Sequence, residues 1–458
     1  MEKKQKSRVL DMTTGKPFYM VLRFALPLFF GNLLQQFYNL ADTAIAGNIL
    51  GDQALAEIGA VTALYSLIIN FAFGLNNGFA LSVSRSFGAG DKKGVQRAAN
   101  WMILLSIGFS VVLTLVSLLG ERGLLRALHV AADIRAGASA YLTVILIGIP
   151  LTMIYNMESA MMQAVGNSLT PLLFLLLSSV LNIGLDVLFM GPCAMGVRGA
   201  AIATVLAQGI SAVLGFFYMR KHYADLRLEK NSIKQVDKAY VMDMTWTGLS
   251  MALMNAIYNV GSVILQGSIN ALGNVYIAAQ VGARRVAEFF YTPGLALGTS
   301  VATYASQNMG AGKRKRIGKG IWTAIILYGI WWGIAMIFLV FFAEDTLRLI
   351  TGSETQEVIA SALRYLRISI PMVPPMAVLV IMRNALQGMK HLVMPLVCSG
   401  LELLGKVIFA IWLVPVYGYI AVCICEPVTW VVCFLFIMTG AWVYRREFRE
   451  KSVHETCA

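Results

Sequence analysis

Charged side chains are scarce in this chain of 458 residues: Asp, Glu, Lys and Arg make up 13% of it, whereas 58% of the residues are hydrophobic. The mean hydropathy is +0.69. A water-soluble fold of this length could not hide so much apolar surface in its core. A soluble protein is therefore excluded, and the chain is predicted to lie in a lipid bilayer.

Residues typical of catalytic and metal sites are also few. The four histidines lie in loops or a tail, and the six cysteines lie mostly within apolar stretches. Cys423 and Cys425 are two positions apart, so on a helix they point to different faces rather than to one metal. No H-E-x-x-H motif, Gly-Lys-Thr phosphate loop or G-x-S-x-G motif is present. We therefore predict neither an enzyme nor an ATP-driven pump, and no cofactor.

Apolar windows recur along the whole chain, each about 20 residues or longer, which is enough to cross about 30 Å of hydrocarbon as a helix. No stretch alternates polar and apolar residues as a barrel strand does, so the windows are predicted to be helices. We predict twelve membrane spans, at residues 18–47, 54–86, 95–119, 135–165, 168–190, 196–220, 240–268, 276–308, 318–342, 357–388, 392–414 and 418–444.

The chain contains an internal repeat with a shift of about 222 positions. The segment from Leu50 to Gly94 matches the segment from Leu272 to Gly318, and both contain a Leu-Gly pair and a Gly-Ala-Gly turn at the same separation. A duplicated six-helix unit is the simplest explanation. The predicted organisation is a cytoplasmic tail, an N-lobe, a cytoplasmic linker, a C-lobe and a second tail, at residues 1–17, 18–221, 222–239, 240–444 and 445–458.

Basic residues cluster in both tails and after spans two, six and eight. They are Lys3, Lys4, Lys6, Arg8, Lys92, Lys93, Arg97, Arg220, Lys221, Arg227, Lys230, Lys313, Arg314, Lys315, Arg316, Arg445, Arg446 and Arg449. Because basic loops stay on the cytoplasmic side, both termini are predicted to be cytoplasmic in a multi-pass cell (inner) membrane protein. The same pattern explains the formal net charge of +13 without a nucleic-acid partner.

Four polar residues lie inside apolar spans of the first half at a similar depth. Asp42 lies near the outer end of span one, and Thr204 lies about two turns into span six. Asn182 and Asp186 are four positions apart, on one helical face toward the outer end of span five. Counted from the outer loops, all four lie roughly 5–15 Å below that surface.

Two carboxylates close together in a low-dielectric site cannot both stay ionised without a cation. We therefore predict a cation or proton site at these four residues, which holds either H⁺ or Na⁺. In the alternative interpretation, Asp42 only caps a helix at the interface and Asp186 pairs with an arginine elsewhere in the chain.

Several segments resemble the multidrug and toxic compound extrusion (MATE) transporters. They are P-L-F-F-G-N-L-L-Q-Q-F-Y-N-L-A-D-T-A-I-A-G in span one, the Gly-Ala-Gly turns with basic residues after spans two and eight, and the Q-A-V-G-N-S-L-T-P loop. The resemblance extends from about Pro17 to Tyr444 and is greatest to prokaryotic members with an acidic amino-terminal site. It implies an all-α membrane protein with two six-helix lobes, related by a pseudo-two-fold axis along the membrane normal.

The resemblance also implies a function: efflux of lipophilic or cationic compounds by antiport against H⁺ or Na⁺, through alternating access of two lobes. The family's acidic site, with an Asp on helix one, Asn and Asp on helix five and Thr on helix six, matches the four residues above. Pro27 matches a proline at which helix one is thought to bend. Some relatives carry their coupling acid on helices seven and ten. Here the stretch G-L-S-M-A-L-M-N-A-I-Y-N-V-G-S-V-I-L-Q-G of span seven has no acid, which argues against that scheme.

The second half contains its own charges within spans. Glu402 and Lys406 are four apart on span eleven, Glu426 lies on span twelve, and Arg284 and Glu288 lie near the middle of span eight. The near balance of acids and bases favours a compensated structural network. A substrate site or a second proton site is the open alternative.

The expected partners are small lipophilic, often cationic molecules and membrane lipids, and the chain is expected to act as a monomer. The 23 methionines suit a pocket that adapts to varied apolar molecules. Four polar or amphipathic residues on spans one and four are predicted substrate contacts, namely Gln35, Tyr38, Tyr141 and Asn156.

Three other function classes stay open at this point. A flippase for a lipid-linked oligosaccharide or a peptidoglycan precursor would need a strongly cationic cavity, so the positions of Arg364, Arg367 and Arg383 in span ten are informative. A membrane-embedded enzyme would need a cluster of histidines or nucleophiles, which the sequence lacks. A passive channel is disfavoured because two repeated lobes with different charges suit alternating access better than a pore.

Overall fold

The computed structural model describes residues 9–127, 130–227, 237–352 and 355–446. The basic residues Lys3, Lys4, Lys6, Arg8, Lys230 and Arg449 lie outside these ranges, as do residues 1–8 of the first predicted tail and 447–458 of the second. All regular structure in the described residues is helical, as the apolar windows predicted.

Fifteen α-helices follow one another in the described part of the chain. They are α1 Pro17–Leu50, α2 Asp52–Gly88, α3 Lys92–Ala127, α4 Arg135–Ala164, α5 Leu169–Met190, α6 Val197–His222, α7 Lys238–Asn270, α8 Asn274–Gly310, α9 Arg314–Phe341, α10 Ala343–Thr351, α11 Gln356–Ser369, α12 Val373–Gly388, α13 Val393–Ile408, α14 Val414–Tyr417 and α15 Tyr419–Val443. Short 3₁₀ turns lie at Ala224–Leu226, Ile370–Met372 and Tyr444–Arg446, and a π-helical turn lies at Phe409–Leu413.

Eleven helical segments in the described residues are long and apolar enough to cross a membrane. Two of them combine shorter helices: α11 with α12 across the turn at Ile370–Met372, and α13 with α14 across the π-helical turn. The helix α8 is equally long but is not among the eleven. Arg284, Arg285 and Glu288 interrupt its first half, and hydroxyl side chains lower the hydropathy of its second half. With α8 included, the segments correspond to the twelve predicted spans.

The chain divides into two compact units. One holds Phe30–Ala256 together with the segment up to Asp11, and the other holds Met12–Phe29 together with the chain from Ile257 onward. The helices α1 and α7 therefore each contribute one part to each unit. The predicted lobes at 18–221 and 240–444, with their tails and linker, stay a prediction.

In the first unit, α4 packs against α2, α3 and α6, and α5 packs against α6. Its core contains the fully buried side chains of Leu75, Phe79, Leu142 and Met153. In the second unit, α8 packs against α9, α11 and α12, while α15 packs against α12 and α13. Both units thus bury their apolar side chains between neighbouring helices, and polar groups in these interfaces need partners of their own.

Two glycines let α2 approach α7 closely within the first unit. A Cβ atom at Gly78 would lie 2.5 Å from the Cα atom of Gly248, and one at Gly74 would lie 2.6 Å from the Cα atom of Ala252. Small residues at four-residue spacing are a common way to bring two membrane helices into backbone contact.

We expect Gly78→Ala to destabilise the protein by about 1–3 kcal/mol, because the methyl group forces α2 away from α7. Gly59→Ala is the matched control on the same helix: a Cβ atom there meets nothing within 4 Å. It should be neutral or stabilise by up to about 1 kcal/mol, since alanine favours a helix over glycine. Thermal unfolding of both variants in detergent measures the difference, and equal midpoints would contradict the close packing.

Candidate ion-binding site

Three of the four predicted ion-site residues are buried in the first unit where α5 packs against α6. Asn182 is 1% exposed, Asp186 is 0% exposed and Thr204 is 7% exposed. The Asn182 side chain donates a hydrogen bond from Nδ2 to Oγ1 of Thr204 at 3.3 Å. Asp186 lies one helical turn beyond Asn182 on the same buried face of α5.

The fourth residue, Asp42, brings a second carboxyl group from α1. Its carboxyl group lies close enough to that of Asp186 for the two to interact electrostatically. Ionised carboxylates only accept hydrogen bonds, so a hydrogen bond between the two would require a proton on one of them. The sequence prediction placed all four residues at one depth, and the structure places their side chains next to one another.

The site contains buried acceptor oxygens that lack a donor. Within the described residues, no hydrogen-bond partner reaches Oδ1 of Asp42, Oδ1 of Asn182 or either carboxylate oxygen of Asp186. Buried polar atoms are nearly always paired, so four unpaired acceptors in one place are unusual. Carboxylate, amide and hydroxyl oxygens fit a proton or a hard cation such as Na⁺. No group of three or more His, Cys, Asp or Glu residues in the described ranges could hold a metal ion.

Three tyrosines surround the two carboxyl groups. The hydroxyl of Tyr38, one turn before Asp42 on α1, lies 3.4 Å from Oγ1 of Thr204. Tyr141 on α4 is 5% exposed and lies within electrostatic range of both acids. Tyr65 on α2 lies within range of Asp42. The sequence prediction named Tyr38 and Tyr141 as substrate contacts but missed Tyr65, because nothing in the local pattern around it differs from other apolar stretches.

The other two predicted substrate contacts lie elsewhere. The exposed Gln35 donates a hydrogen bond from Nε2 to Oδ1 of Asn39 on its own helix, at 3.3 Å. Asn156 is half-buried on α4, 15 residues beyond Tyr141 and therefore about 22 Å farther along the helix. The structure does not bring Asn156 to the level of the two acids.

An apolar groove adjoins the site between α1 and α5. Its volume is about 370 Å³, and its walls are Leu34, Phe37, Tyr38, Leu40, Ala41 and Ala44 of α1 with Ser179 and Ile183 of α5. Tyr38 belongs both to this groove and, through its hydroxyl, to the cluster around Thr204. The groove thus gives an apolar molecule a surface that shares one residue with the ion site.

Pro27 lies in the part of α1 that belongs to the second unit. The helix continues through it from Pro17 to Leu50, although proline cannot donate the backbone hydrogen bond of that turn. The division between the two units falls at Phe29 and Phe30, immediately after this proline. The predicted bending of α1 at Pro27 stays a prediction.

The charges of the second unit form two groups of ion pairs. In the first, Nη1 of Arg284 lies 2.8 Å from Oε1 of Glu426, and the Tyr365 hydroxyl donates to Oε2 of the same glutamate at 2.8 Å. Arg284 also lies 3.5 Å from Glu288, whose side chain is 50% exposed. Both oxygens of the buried Glu426 therefore have a partner.

The second group is centred on Glu402. Nζ of Lys406 lies 3.6 Å from one of its oxygens, and Nη1 of Arg383 lies 3.5 Å from the other. Lys406 also lies 3.2 Å from the Ser262 hydroxyl and 4.0 Å from the centre of the Tyr258 ring. In contrast to Asp42 and Asp186, Glu402 and Glu426 have basic partners.

The arginines of span ten do not collect into one cationic group. Arg364 and Arg367 are exposed on α11, and Arg383 on α12 is paired with Glu402. The strongly cationic cavity that a flippase for anionic lipid-linked precursors would need is not formed by these three residues.

Comparison with known proteins yields consistent matches. A family model described as MatE matches residues 27–188 and 250–412, well over half of the chain. Probable multidrug resistance protein YpnP of Bacillus subtilis is 30% identical over 314 residues, which cover 68% of this chain and 69% of the relative. Probable multidrug resistance protein NorM of Thermotoga maritima is 26% identical over 341 residues, which cover 72% of each chain.

A solved structure, the outward-facing conformation of a multidrug resistance MATE family transporter of the MOP superfamily, matches with a TM-score of 0.87. The match has 22% sequence identity and covers 97% of this chain and 99% of that one. It confirms the all-helical membrane fold that the sequence predicted.

Proposed function

Because this chain belongs to the MatE family, we propose that it is a multidrug efflux transporter that exports lipophilic or cationic compounds in exchange for protons. The family consists of transporters, so the prediction that the chain is not an enzyme is confirmed. The proposed location is a bacterial cell membrane with both termini in the cytoplasm, and the working unit is a monomer.

The observation that carries the proposal is the pair of carboxyl groups with unpaired buried oxygens. A hydrogen bond between Asp42 and Asp186 exists only while one of them holds a proton. Loss of that proton leaves two negative charges together in a low-dielectric site, where repulsion opposes their contact. Binding and release of a proton therefore changes the force between α1 and α5. Na⁺ is the alternative ion, since it would neutralise the same charges.

The apolar groove connects this change to the substrate. Six of its eight lining residues belong to α1, the helix that carries Asp42. When the proton draws Asp42 and Asp186 together, α1 shifts against α5 and the groove between them changes shape. An apolar molecule held in the groove is then released on the outer side, and alternating access returns the empty site to the cytoplasm.

The energy supply depends on the number of protons. A pH difference of one unit is worth about 1.4 kcal/mol for each proton, and the membrane potential adds about 2.3 kcal/mol per 100 mV for each net charge moved. Exchange of one proton for one monovalent cation moves no net charge and draws on the pH difference alone.

The experiment that tests the proposal is efflux of ethidium, a lipophilic monovalent cation, from proteoliposomes under an imposed pH or Na⁺ gradient. Efflux driven by the pH gradient and abolished by a protonophore supports proton exchange. Efflux driven only by Na⁺ assigns the same site to Na⁺. If no gradient drives efflux of any compound in a panel of lipophilic cations and neutral drugs, the proposal fails and a flippase becomes the better explanation.

Thr204 should tune the site without being indispensable, because its hydroxyl links Asn182 and Tyr38 but carries no charge. We expect Thr204→Val, which keeps the shape, to lower the initial rate of pH-driven efflux by about threefold to tenfold, as for loss of one or two hydrogen bonds. Thr62→Val on α2 is the control, since its hydroxyl bonds only to its own helix. A rate in Thr204→Val equal to that of the control would remove Thr204 from the site.

A further inference from the structure

A second acid is buried in the first unit, far from the pair that the proposed function uses. Glu158 on α4 is 4% exposed, and no hydrogen bond or ion pair from another side chain in the described ranges reaches it. Its Oε2 atom lies against Gly215 of α6, in space that a Cβ atom at that position would occupy. A carboxylate buried in this way is costly unless a cation or a proton neutralises it.

The surroundings of Glu158 offer no permanent positive charge. Tyr155, one turn earlier on α4, is the titratable group that interacts with it, and its hydroxyl is hydrogen-bonded to Ser159. Among the residues that the structure describes, α2, α3, α5 and α6 place no charged side chain within range of its carboxyl group. Glu158 therefore differs from Glu402 and Glu426, which have basic partners, and a proton is the remaining means of neutralising it.

Polar residues connect the level of Asp42 and Asp186 to the level of Glu158. Thr204, Gln208, Ser211 and Gly215 follow one another on α6 at spacings of four, three and four, which places them on one helical face. Gln208 accepts a hydrogen bond at Oε1 from Thr152 of α4 at 2.5 Å. Oγ of Ser211 is buried and has no partner in the described part of the chain.

This stripe covers a rise of about 16 Å, from Thr204 in the ion site to Gly215 beside Glu158. Gln208 links α6 to α4 through Thr152, and buried hydrophobic residues of both helices belong to one apolar core. The stripe ends near the Q-A-V-G-N-S-L-T-P loop, which the proposed orientation places on the cytoplasmic side. A proton therefore has hydrogen-bonding groups on the way between Glu158 and the outer acids.

We propose that Glu158 is a second proton-binding residue, so that each transport cycle exchanges two protons. This inference rests on the proposed function, and it gives that function a stoichiometry. One proton is held by Asp42 and Asp186, and the other by Glu158 at the inner end of the stripe. Two protons exchanged for one monovalent cation move one net charge, so the membrane potential drives export together with the pH difference.

The test measures, in proteoliposomes, the ethidium gradient that just balances an imposed pH gradient, with and without a membrane potential. The quantity measured is the ratio of ethidium concentrations on the two sides of the membrane at which net transport stops. For the wild type, each unit of pH difference should change this balancing ratio about 100-fold, and a potential of 100 mV should change it about 50-fold. Glu158→Gln keeps the size of the side chain but holds no exchangeable proton. Each pH unit should then change the ratio only about tenfold, and the potential should have no effect.

Two further variants separate this role from a structural one. Glu158→Asp keeps an acid and should keep the wild-type ratios. Glu121→Gln is the matched control, because Glu121 is also a buried glutamate, 7% exposed, but accepts hydrogen bonds from Ser139 at 2.6 Å and Thr143 at 3.0 Å. Its ratios should equal those of the wild type.

If Glu158→Gln transports too slowly for this measurement, proton exchange is measured instead on purified protein in detergent. Protons exchanged on ethidium binding are counted with a pH indicator, after the dissociation constant has been checked to lie within about twofold of wild type. One proton fewer in Glu158→Gln supports the inference, and an equal count overturns it. The inference is also overturned if Glu158→Gln shows the same ratios as the wild type. If the wild type itself shows no gradient-driven efflux, the proposed function fails instead.

Discussion

Replacing Asp42 by asparagine is expected to abolish efflux against a gradient. Asparagine has the size of aspartate but cannot take up and release a proton, so Asp186 loses the partner with which it shares one. Without the pair, proton binding no longer shifts α1, so a proton on Glu158 is not coupled to drug movement either. The ratio of ethidium concentrations at balance should fall to about one at every imposed pH difference, a loss of at least about tenfold per pH unit. Ethidium efflux from proteoliposomes at several pH differences measures this loss.

The comparison with other variants makes this result specific. Asp52→Asn is the matched control, because Asp52 is exposed in the first turn of α2, near the outer end of the neighbouring helix. Its efflux should be unchanged. Asp186→Asn should lose as much as Asp42→Asn, and the double variant should lose no more, because the two acids act as one unit. Undiminished gradient-driven efflux in Asp42→Asn would refute the assignment of the site.

Replacing Glu426 by glutamine is expected to destabilise the second unit by about 3–5 kcal/mol. The substitution removes the negative charge of a buried ion pair and leaves the Arg284 guanidinium without its anionic partner at 2.8 Å. It also removes the charged acceptor of the Tyr365 hydroxyl. Denaturant or thermal unfolding in detergent, compared with wild type, measures the change.

Two further variants test whether the pair is structural. Glu288→Gln breaks only the half-exposed contact of Arg284, and its effect should stay within about 0.5 kcal/mol. The double variant Arg284→Met with Glu426→Leu removes both charges and should recover most of the lost stability. If Glu426→Gln unfolds like wild type but loses gradient-driven efflux, the network is a second coupling site rather than a structural one.

The membrane helices could be predicted from the sequence because a membrane span is recognised from the length and hydropathy of one continuous segment. The predicted spans 54–86 and 95–119 correspond to α2 and α3, which extend farther at both ends because polar residues continue a helix outside the bilayer. The turn at Ile370–Met372 was not predicted, although Pro371, Pro374 and Pro375 give a local reason for a break. The division of α1 and α7 between units was also missed, since it depends on contacts between distant segments.

The candidate ion site could be predicted because its residues are polar groups inside apolar spans at a shared distance from the helix ends. Glu158 satisfies the first condition but not the second: it lies deep in span four, toward the opposite end. The sequence does not show that α6 packs beside Glu158, or that its carboxyl group lies against Gly215. A sequence gives the depth of a residue but not the neighbours that decide whether its charge is paired.

The walls of the apolar groove have a consequence for how resistance evolves. Most of its lining side chains lie on the helix that also carries Asp42. A substitution at Phe37 or Ala41 that admits a new compound is therefore also expected to displace the carboxyl group of Asp42, which lies within about one and a half turns of both residues. Selection for export of a wider range of drugs therefore also affects how proton binding is coupled to transport. Variants that export more compounds should show weaker proton-driven efflux. They should need compensating substitutions elsewhere in the chain.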